Sequence, residues 1–425
     1  MFICSNCGYG SASWIGRCPD CGQWNTFKKQ LSIGDDKKSR PAEEFKLIKA
    51  EQIKSKIASK KILTKSYDFN KVLGGGLTLG SVILLTGDPG IGKSTLLAQV
   101  LKELKTVYIS GEESTDQVKD RLERLAIDLK NFYLSNNQET ETIVDGLKKN
   151  LNNFEVVVVD SIQTLYSNKI DSPPGSIVQL KETTLQLINF AKNHQKPVII
   201  IGHITKEGEI AGPKTLEHLV DVVLSFEGEK NSHFRILRST KNRFGSTDEI
   251  GIFEMTSKGL RENNNPLVFV TQEIKNATGM TLVGINEGRR PLFFEIQTLL
   301  VPSILTIPRR VVKGIDYNKF LLLLAVIRKH YHLPLDKFDV FLNVIGGINI
   351  KSPAADLGVI ASLLSSYKNK PLPENSVFIG EIGLLGEVRK TIFEEKIINE
   401  AKRLGIKNIY CSTNLKNINQ LKNLI

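Results

Sequence analysis

The sequence predicts an α/β fold in which a mostly parallel sheet occupies the centre of the chain, between a small cysteine-rich module and a C-terminal α+β region. Three observations support this prediction. Apolar strands alternate with helical segments from residue 66 to residue 229, which is typical of parallel sheets. Four cysteines fall within the first 21 residues. After residue 265, strand-like segments at 267–271 and 292–300 precede helical segments at 320–328 and 355–366.

Length and composition are those of a globular protein with two or three domains. The chain has 425 residues, of which 41% are hydrophobic and 24% are charged. It has no apolar run of the ~20 residues that span a membrane, and Met1 leads into cysteines without a charged-then-apolar signal segment. We therefore expect a cytoplasmic protein without membrane contact. The net charge of +12 favours a polyanionic partner, although it also suits a solvated, lysine-rich surface.

The first element is a cysteine cluster in residues 1–28, with the pairs Cys4-x2-Cys7 and Cys18-x2-Cys21. This spacing is typical of a zinc ribbon, in which four thiolates close the coordination shell and leave no open position for water. We predict one structural Zn²⁺, which supplies most of the folding energy of so short a module. Disulfides are the alternative, and the absence of a secretion signal disfavours them. The polar, lysine-rich residues 29–62 are predicted to be a linker.

The second element is a glycine-rich loop, Gly87-Asp88-Pro89-Gly90-Ile91-Gly92-Lys93-Ser94, followed by Thr95. It matches the phosphate-loop pattern G-x-x-x-x-G-K-[ST] at every fixed position, between a predicted strand at 81–86 and a predicted helix at 94–104. In such a loop backbone N–H groups surround the phosphates, Lys93 adds a positive charge and Ser94 ligates Mg²⁺. We predict that this run binds ATP together with Mg²⁺.

Acidic residues follow two other predicted strands. Four consecutive valines end at Asp160, the form of a Walker B strand, and we expect Asp160 to hold the Mg²⁺ water shell beside Ser94. Glu112 and Glu113 follow the predicted strand at 106–110, at the edge of the sheet that faces a nucleotide. One of them is expected to orient the attacking water, with Glu112 preferred and a solvated helix start as the alternative.

A predicted strand at 198–202 leads into His203, a candidate sensor of the γ-phosphate. A buried core histidine is the alternative interpretation. Together these motifs predict an ATPase domain over residues 63–262.

These features resemble the RadA (Sms) family of bacterial DNA repair proteins, which are RecA-like ATPases. The resemblance covers nearly the whole chain and rests on the four-cysteine ribbon and on five further motifs. They are Leu73-Gly74-Gly75-Gly76, Gly111-Glu112-Glu113-Ser114, Ala211-Gly212-Pro213-Lys214, Leu216-Glu217-His218 and Lys241-Asn242-Arg243-Phe244-Gly245. The last of these, residues 241–245, is the family's signature pentapeptide.

The resemblance implies ATP-dependent branch migration in homologous recombination, by a homo-hexameric motor on single-stranded and branched DNA. It implies that Lys241 and Arg243 couple nucleotide binding to DNA binding, with Lys241 reaching the nucleotide of a neighbouring subunit. It also suggests cooperation with a recombinase and a replicative helicase.

Two segments suit DNA-facing loops, residues 167–181 and residues 206–214. Both carry Gly or Pro together with lysine, and both lie beyond predicted strand ends. Lys181, Lys206 and Lys214 are the candidate phosphate contacts there, and ordinary surface loops are the alternative.

The C-terminal residues 263–425 resemble the proteolytic domain of Lon. Lon-type catalysis needs a serine activated by a lysine. The alignment places Ala354 at the serine position and Glu395 at the lysine position, with Ser352 and Lys396 close by if the alignment shifts. We therefore expect a proteolytically inactive scaffold domain.

Two other functions compete with the DNA motor. The double-glycine entry and the Glu112-Glu113 pair also resemble KaiC, a regulatory ATPase and kinase, but the zinc ribbon and residues 241–245 argue against it. An ATP-dependent Lon-like protease is disfavoured by Ala354 and Glu395.

Overall fold

Residues 2–5, 9–29, 49, 60–203, 214–228, 233–270 and 277–424 are described by the computed structural model. Over this part of the chain the contacts define two structural units. The first unit comprises Met1–Glu227, Leu237–Thr247 and Thr256–Leu260, and the second comprises Gly228–Ile236, Asp248–Met255 and Arg261–Ile425. Cys7, Lys206 and most of the predicted linker lie outside the described residues.

The strands and helices up to the end of the central region follow in chain order. They are β1 (Phe2–Cys4), β2 (Gly10–Ser11), β3 (Phe27–Lys29), β4 (Lys61–Ile62), α1 (Tyr67–Val72), β5 (Leu77–Thr78), β6 (Val82–Gly87), α2 (Lys93–Val100), β7 (Thr106–Ser110), α3 (Thr115–Arg124), β8 (Phe132–Ser135), α4 (Thr140–Lys149), β9 (Val156–Asp160), α5 (Ile177–His194), β10 (Val198–His203), α6 (Lys214–Glu217), β11 (Val222–Glu227), β12 (Phe234–Asn242), β13 (Ile250–Thr256) and β14 (Gly259–Glu262).

The remaining elements belong to the second unit. They are β15 (Met280–Glu287), β16 (Arg290–Pro302), β17 (Arg310–Lys313), α7 (Tyr317–Tyr331), β18 (Phe338–Val344), α8 (Asp356–Lys368), β19 (Ser376–Ile379), β20 (Glu381–Ile382), β21 (Val388–Arg389), α9 (Glu394–Arg403) and β22 (Asn408–Cys411).

The N-terminal module is a three-stranded antiparallel sheet of order β2-β1-β3. Its buried core consists of Cys4, Cys18 and Phe27, with a few partly buried neighbours. So small a core cannot offset the entropy of folding by itself, which explains why the sequence places metal-binding side chains inside it.

The centre of the first unit is a parallel sheet, as predicted. The strands lie in the order β11-β6-β10-β9-β7-β8, and each strand pairs with its neighbours in parallel. Every residue of β6 and of β9 is buried, because helices cover both faces of such a sheet. The α/β prediction for this region is therefore confirmed. The carboxyl ends of β6, β9 and β7 all meet at one edge.

Helix α2 ends at Val100, earlier than the predicted residue 104. Leu101 and Leu104 are buried, so the apolar pattern continues beyond the helix, but these residues lie in a turn that leads the chain into β7. The apolar pattern in the sequence indicates which of these residues are buried, but it does not indicate where the helix ends.

The second unit contains a six-stranded mixed sheet of order β17-β18-β16-β15-β19-β22. Helices α7 and α8 contribute to its core; α7 is longer than the predicted segment at both ends, and α8 begins one residue later than predicted and ends two residues later. The predicted strand at 267–271 is wrong over the residues that are described, which form a turn with an isolated bridge at Phe269. Phe269 is buried and stacks on Phe294 with ring centroids 4.7 Å apart, which explains the apolar signal.

Candidate functional site

The glycine-rich loop joins β6 to α2 at the carboxyl edge of the parallel sheet. A Cβ atom at Gly87 would lie 2.4 Å from the carbonyl oxygen of Phe226, so only glycine fits there. Gly90 has a φ of +77° and nothing within 4 Å of a Cβ position, so the middle of the loop is open. Helix α2 starts with no side-chain cap, which leaves its first N–H groups available to an anion. This geometry fits a phosphate chain.

Lys93 lies inside this loop. Its ammonium donates hydrogen bonds to the carbonyl oxygens of Gly87 at 2.7 Å and Asp88 at 3.0 Å, and the residue is only 4% exposed. Burial lowers the pKa of Lys93, and the charges of Asp160, Asp88 and Glu112 oppose that shift. The ammonium is thus held by two carbonyl oxygens that a phosphate oxygen can replace, within the field of the acidic residues of the site.

Asp160 is the last residue of β9, and its carboxylate accepts a hydrogen bond from the hydroxyl of Tyr108. Tyr108 lies in the neighbouring strand β7 and also interacts with the side chain of Ser94. Burial and the charge of Asp160 raise the pKa of Tyr108, so the phenol keeps its proton and remains a donor. Ser94 and Asp160, the two predicted Mg²⁺ ligands, therefore share one phenol, and their oxygen donors are of the type that Mg²⁺ prefers.

Glu112 and Glu113 have different partners. The hydroxyl of Ser161 donates to Glu112 Oε1 at 2.7 Å, whereas Glu113 forms an ion pair with Arg121 of helix α3. The backbone N–H of Glu113 donates to Ser110 Oγ at 3.1 Å. The acidic pair is thus built into the carboxyl ends of β7 and β9.

Two residues of this site, Tyr108 and Arg121, were not predicted from the sequence. Tyr108 is an aromatic residue inside an otherwise aliphatic and hydroxylic strand. Arg121 lies three residues after Val118 and next to Leu122, and both of these are buried. An arginine on the buried face of a helix was the available signal.

The other predicted nucleotide and DNA residues are placed as follows. His203 ends β10 and is in register with Gly87, so this strand ends beside the phosphate loop. Lys181 is exposed on α5. Lys214 begins α6.

Lys241 lies at the opposite edge of the sheet. Its ammonium donates to the carbonyl oxygens of Glu217 at 2.7 Å, Val220 at 2.9 Å and His218 at 3.3 Å, at the end of helix α6 and just after it. Burial lowers the pKa of Lys241, with the charge of Arg243 acting in the same direction. This lysine holds the backbone that leads into β11.

Arg243 lies at the same edge. Its guanidinium pairs with Asp221 at 3.1 Å, and the other carboxylate oxygen of Asp221 accepts from the N–H of Val82 at 3.1 Å. Val82 begins β6 and Gly87 ends it, which places the two cations roughly 17 Å of strand length from the phosphate loop. The structure does not bring Lys241 or Arg243 to the nucleotide site of the same chain.

The 241–245 pentapeptide packs against the glycines that precede β5. A Cβ atom at Gly245 would lie 2.8 Å from the Cα of Gly74, and the side-chain amide of Asn242 donates to the carbonyl oxygen of Val72 at 3.4 Å. Glycine at 245 and at 74 permits this backbone approach. The pentapeptide is therefore anchored to the segment after α1.

Three of the predicted zinc ligands lie together. The Sγ atoms of Cys4, Cys18 and Cys21 are all within 4.8 Å of one another, and those of Cys4 and Cys21 are 3.7 Å apart. Thiolates around a tetrahedral Zn²⁺ with Zn–S bonds of about 2.3 Å are separated by about 3.8 Å, whereas a disulfide measures about 2.05 Å. The arrangement fits a metal ion, with the fourth predicted ligand, Cys7, outside the described residues.

In the second unit, Ala354 is buried and Glu395 is exposed and paired with Lys390 at 2.8 Å. Ser352 accepts a hydrogen bond from the N–H of Ala354 at 3.3 Å, and the ammonium of Lys396 lies 4.8 Å from the ring centre of Phe393. Each alternative position in the alignment thus has a local structural partner.

Among the helices described, none has the length and apolar character needed to cross a membrane.

Comparison with known proteins identifies the family. Residues 2–29 match the model of the rubredoxin metal-binding domain, and residues 64–265 match the model of the KaiC ATPase family. The DNA repair protein RadA of Rickettsia bellii is 45% identical over 420 residues, covering 97% of this chain and 93% of that protein. The RadA proteins of Listeria monocytogenes (44%, covering 97% of this chain and 92% of that protein) and Bacillus subtilis (44%, 96% and 91%) are similar to the same extent.

Solved structures show weaker similarity. A RadB recombinase is 24% identical with a TM-score of 0.39, covering 47% of this chain and 98% of its own. A KaiC-like protein from Pyrococcus horikoshii is 17% identical with a TM-score of 0.39, covering 48% and 99%.

The fold and the phosphate loop thus define a RecA-like ATPase with an N-terminal zinc ribbon, a domain type that implies binding of nucleotide and Mg²⁺. Within that class, the chain belongs to the RadA family of DNA repair proteins. The resemblance drawn from the motifs is confirmed, and the protein is an ATPase of DNA repair and recombination.

Proposed function

We propose that this protein is a DNA-dependent ATPase that drives branch migration of recombination intermediates on single-stranded DNA. One observation carries the proposal: Lys93, Ser94, Asp160 and Glu112 are gathered at one edge of a parallel sheet, in a chain of the RadA family. RecA-like sheets bind nucleotides at this edge.

The residues of the loop, from Gly87 through Asp88, Pro89, Gly90, Ile91, Gly92 and Lys93 to Ser94 and Thr95, hold the triphosphate with backbone N–H groups. Lys93 stabilises the charge that develops as the γ-phosphoryl group leaves ADP. Ser94 and Asp160 would hold Mg²⁺, directly or through its waters, and the bound ion would neutralise phosphate charge. His203 ends its strand beside the loop and senses the γ-phosphate.

Glu112 is the general base. Its carboxylate accepts a proton from the attacking water while the water oxygen bonds to the γ-phosphorus and the bond to the ADP oxygen breaks. Glu113 is the weaker candidate for this role, because its carboxylate is engaged by the Arg121 guanidinium, whereas Glu112 is held by a neutral hydroxyl.

Lys241 and Arg243 act on the nucleotide of a neighbouring subunit in a homo-hexamer. Support comes from their position at the edge of the sheet opposite the phosphate loop, where they cannot serve their own chain. Charges supplied in trans are a known device of such ATPases. In that assembly Lys241 exchanges backbone carbonyl oxygens for phosphate oxygens.

DNA binds through phosphate contacts from Lys181, Lys206 and Lys214, together with the coupling cations Lys241 and Arg243. The net charge of +12 supports a polyanionic partner. A recombinase and a replicative helicase are the proposed protein partners, with the zinc ribbon, held by Cys4, Cys7, Cys18 and Cys21, as the docking module. We propose that the protein carries out these activities in the cytoplasm.

Four regions divide this work: a ribbon at 1–28, a linker at 29–62, an ATPase domain at 63–262 and a scaffold at 263–425 that resembles Lon. The scaffold has no protease activity, because alanine at 354 supplies no nucleophile and glutamate at 395 supplies no activating amine. Cleavage of casein in the presence of ATP would contradict this assignment.

The decisive experiment is ATP hydrolysis at low salt, with and without single-stranded DNA, since phosphate contacts are strongest there. We expect DNA to raise the rate several-fold, Lys93→Ala to abolish turnover, and Lys241→Ala to remove the DNA response. Lys192→Ala, a change at an exposed lysine of α5, is the matched control and should behave as wild type.

A slow rate that ignores DNA would instead favour a KaiC-like regulatory ATPase or kinase, which autophosphorylation would then reveal.

A further inference from the structure

Arg121 connects three acidic or phenolic groups of the nucleotide site. One guanidinium nitrogen pairs with Glu113, and the other lies 3.9 Å from Asp160 Oδ2 and 3.5 Å from the hydroxyl oxygen of Tyr108. The Arg121 side chain is 10% exposed, although an unconstrained arginine on a short amphipathic helix points into water.

The helix that carries Arg121 is held in place by other residues. Ser114 and Gln117 form a complete capping box at its start, and Val118 and Leu122 bury its apolar face. The planar fork of arginine suits simultaneous contact with two groups, which an ammonium cannot reproduce. The guanidinium is therefore directed at the site rather than needed to anchor the helix.

The contacts of Arg121 separate two carboxylates that are adjacent in sequence. Glu113 is drawn towards the helix by a permanent cation, and Glu112 points to Ser161, next to Asp160. Without Arg121, the Glu113 charge would lie unpaired beside Asp160 and Glu112, which disfavours a fixed geometry for all three.

We propose that Arg121 is a positioning residue for ATP hydrolysis, which holds Glu113 and braces the Tyr108–Asp160 pair so that Glu112 alone accepts the proton of the attacking water. This inference rests on the proposed function. The contacts of Arg121 within the described residues are with Glu113, Asp160 and Tyr108 and not with the phosphate loop, so we expect it to act on the chemical step and not on ATP affinity.

The test is a double-mutant cycle with Arg121→Met, Glu113→Gln and the double variant, in the full-length protein with Mg²⁺ and single-stranded DNA. Arg121→Met should lower kcat about tenfold or more and change the KM for ATP by less than about threefold. The double variant should recover kcat at least about fivefold over Arg121→Met, because the unpaired carboxylate is gone. Arg124→Met, at an exposed position of the same helix, is the matched control and should keep wild-type values.

A second measurement does not depend on turnover. Thermal unfolding without added Mg²⁺ or nucleotide should show that Arg121→Met lowers the midpoint and that adding Glu113→Gln restores part of the loss. If Arg121→Met does not fold, the neutral and more polar Arg121→Gln replaces it in both cycles, with the same sign of coupling expected.

The inference is overturned if Arg121→Met keeps kcat within about twofold of wild type, or if the double variant is as slow as the single one. A wild-type protein that does not hydrolyse ATP would overturn the proposed function, and the unfolding cycle would still decide whether Arg121 holds Glu113.

Discussion

Removal of one hydroxyl group, by Tyr108→Phe, isolates the contribution of the phenol to the placement of the Asp160 carboxylate. Tyr108 is 2% exposed, and its ring is retained in the variant, so no cavity forms. Asp160 loses one hydrogen bond in a buried site, which for a charged acceptor costs about 1.5–3 kcal/mol. For an ATPase domain of this size, that free energy corresponds to a fall of about 3–12 °C in the unfolding midpoint.

The size of this fall depends on what else Asp160 can bind. Without added Mg²⁺ or nucleotide the full loss is expected, whereas saturating Mg²⁺ and ATP supply the carboxylate with new partners and should reduce the loss to less than about half. Differential scanning calorimetry under the two conditions measures both values, and the kcat of the variant should fall while the KM for ATP stays nearly constant.

Tyr133→Phe is the matched control, because this tyrosine lies on the neighbouring strand β8 and is 45% exposed. It should leave the unfolding midpoint unchanged within about 1 °C. Equal midpoints for Tyr108→Phe and wild type without added Mg²⁺ or nucleotide would refute the argument that the phenol supports Asp160.

Two further predictions concern the metal site and the second unit. Purified protein should contain one zinc per chain, which the Cys18→Ser variant should lose and the Cys411→Ser control should keep. Metal analysis measures the zinc content, and full zinc content in Cys18→Ser would contradict the predicted ligand set. Burial raises the pKa of Asp356 from 3.8 to about 6, although the hydrogen bond and charge of Lys319 act to lower it. The carboxyl group of Asp356 therefore binds its proton more tightly in the folded state than in the unfolded state. The stability from this shift is complete below about pH 4 and is lost as the pH rises through 6. Unfolding of wild type and Asp356→Asn should therefore show that, relative to wild type, the free energy of unfolding of the variant rises by about 2 kcal/mol between pH 4 and pH 7. A difference in stability that does not depend on pH would refute this prediction.

The central fold was accessible from the sequence because its signals are local. A buried β-branched strand, a glycine loop and a helix follow one another along the chain, and their order specifies a parallel sheet. The strand predicted at 267–271 is wrong because its apolar signal is not local. The burial of Phe269 comes from stacking on Phe294, a partner that is distant in sequence. A window of apolar residues cannot distinguish these two origins of burial.

The hydrogen-bond and ion-pair partners of the site residues could not be predicted from local sequence signals. Tyr108 reaches Asp160 only because β7 and β9 are paired, with Ser110 opposite Asp160 in the register. Arg121 reaches Glu113 and Tyr108 only because helix α3 is placed so that its side chain returns to the end of β7. The different partners of Glu112 and Glu113 follow from that packing, which two adjacent glutamates in a sequence do not reveal.

Because Lys241 and Arg243 lie far from the phosphate loop, each chain carries the cations and the nucleotide site at different places on its surface. An assembly that brings the cations of one copy to the nucleotide of another must repeat head to tail, and its number of working sites equals its number of junctions. Each chain then has two independent half-sites, one that receives and one that donates. A mixture of Lys93→Ala protein, which lacks turnover, and Lys241→Ala protein, which lacks the DNA response, would regain DNA-stimulated turnover at every junction where two intact halves meet.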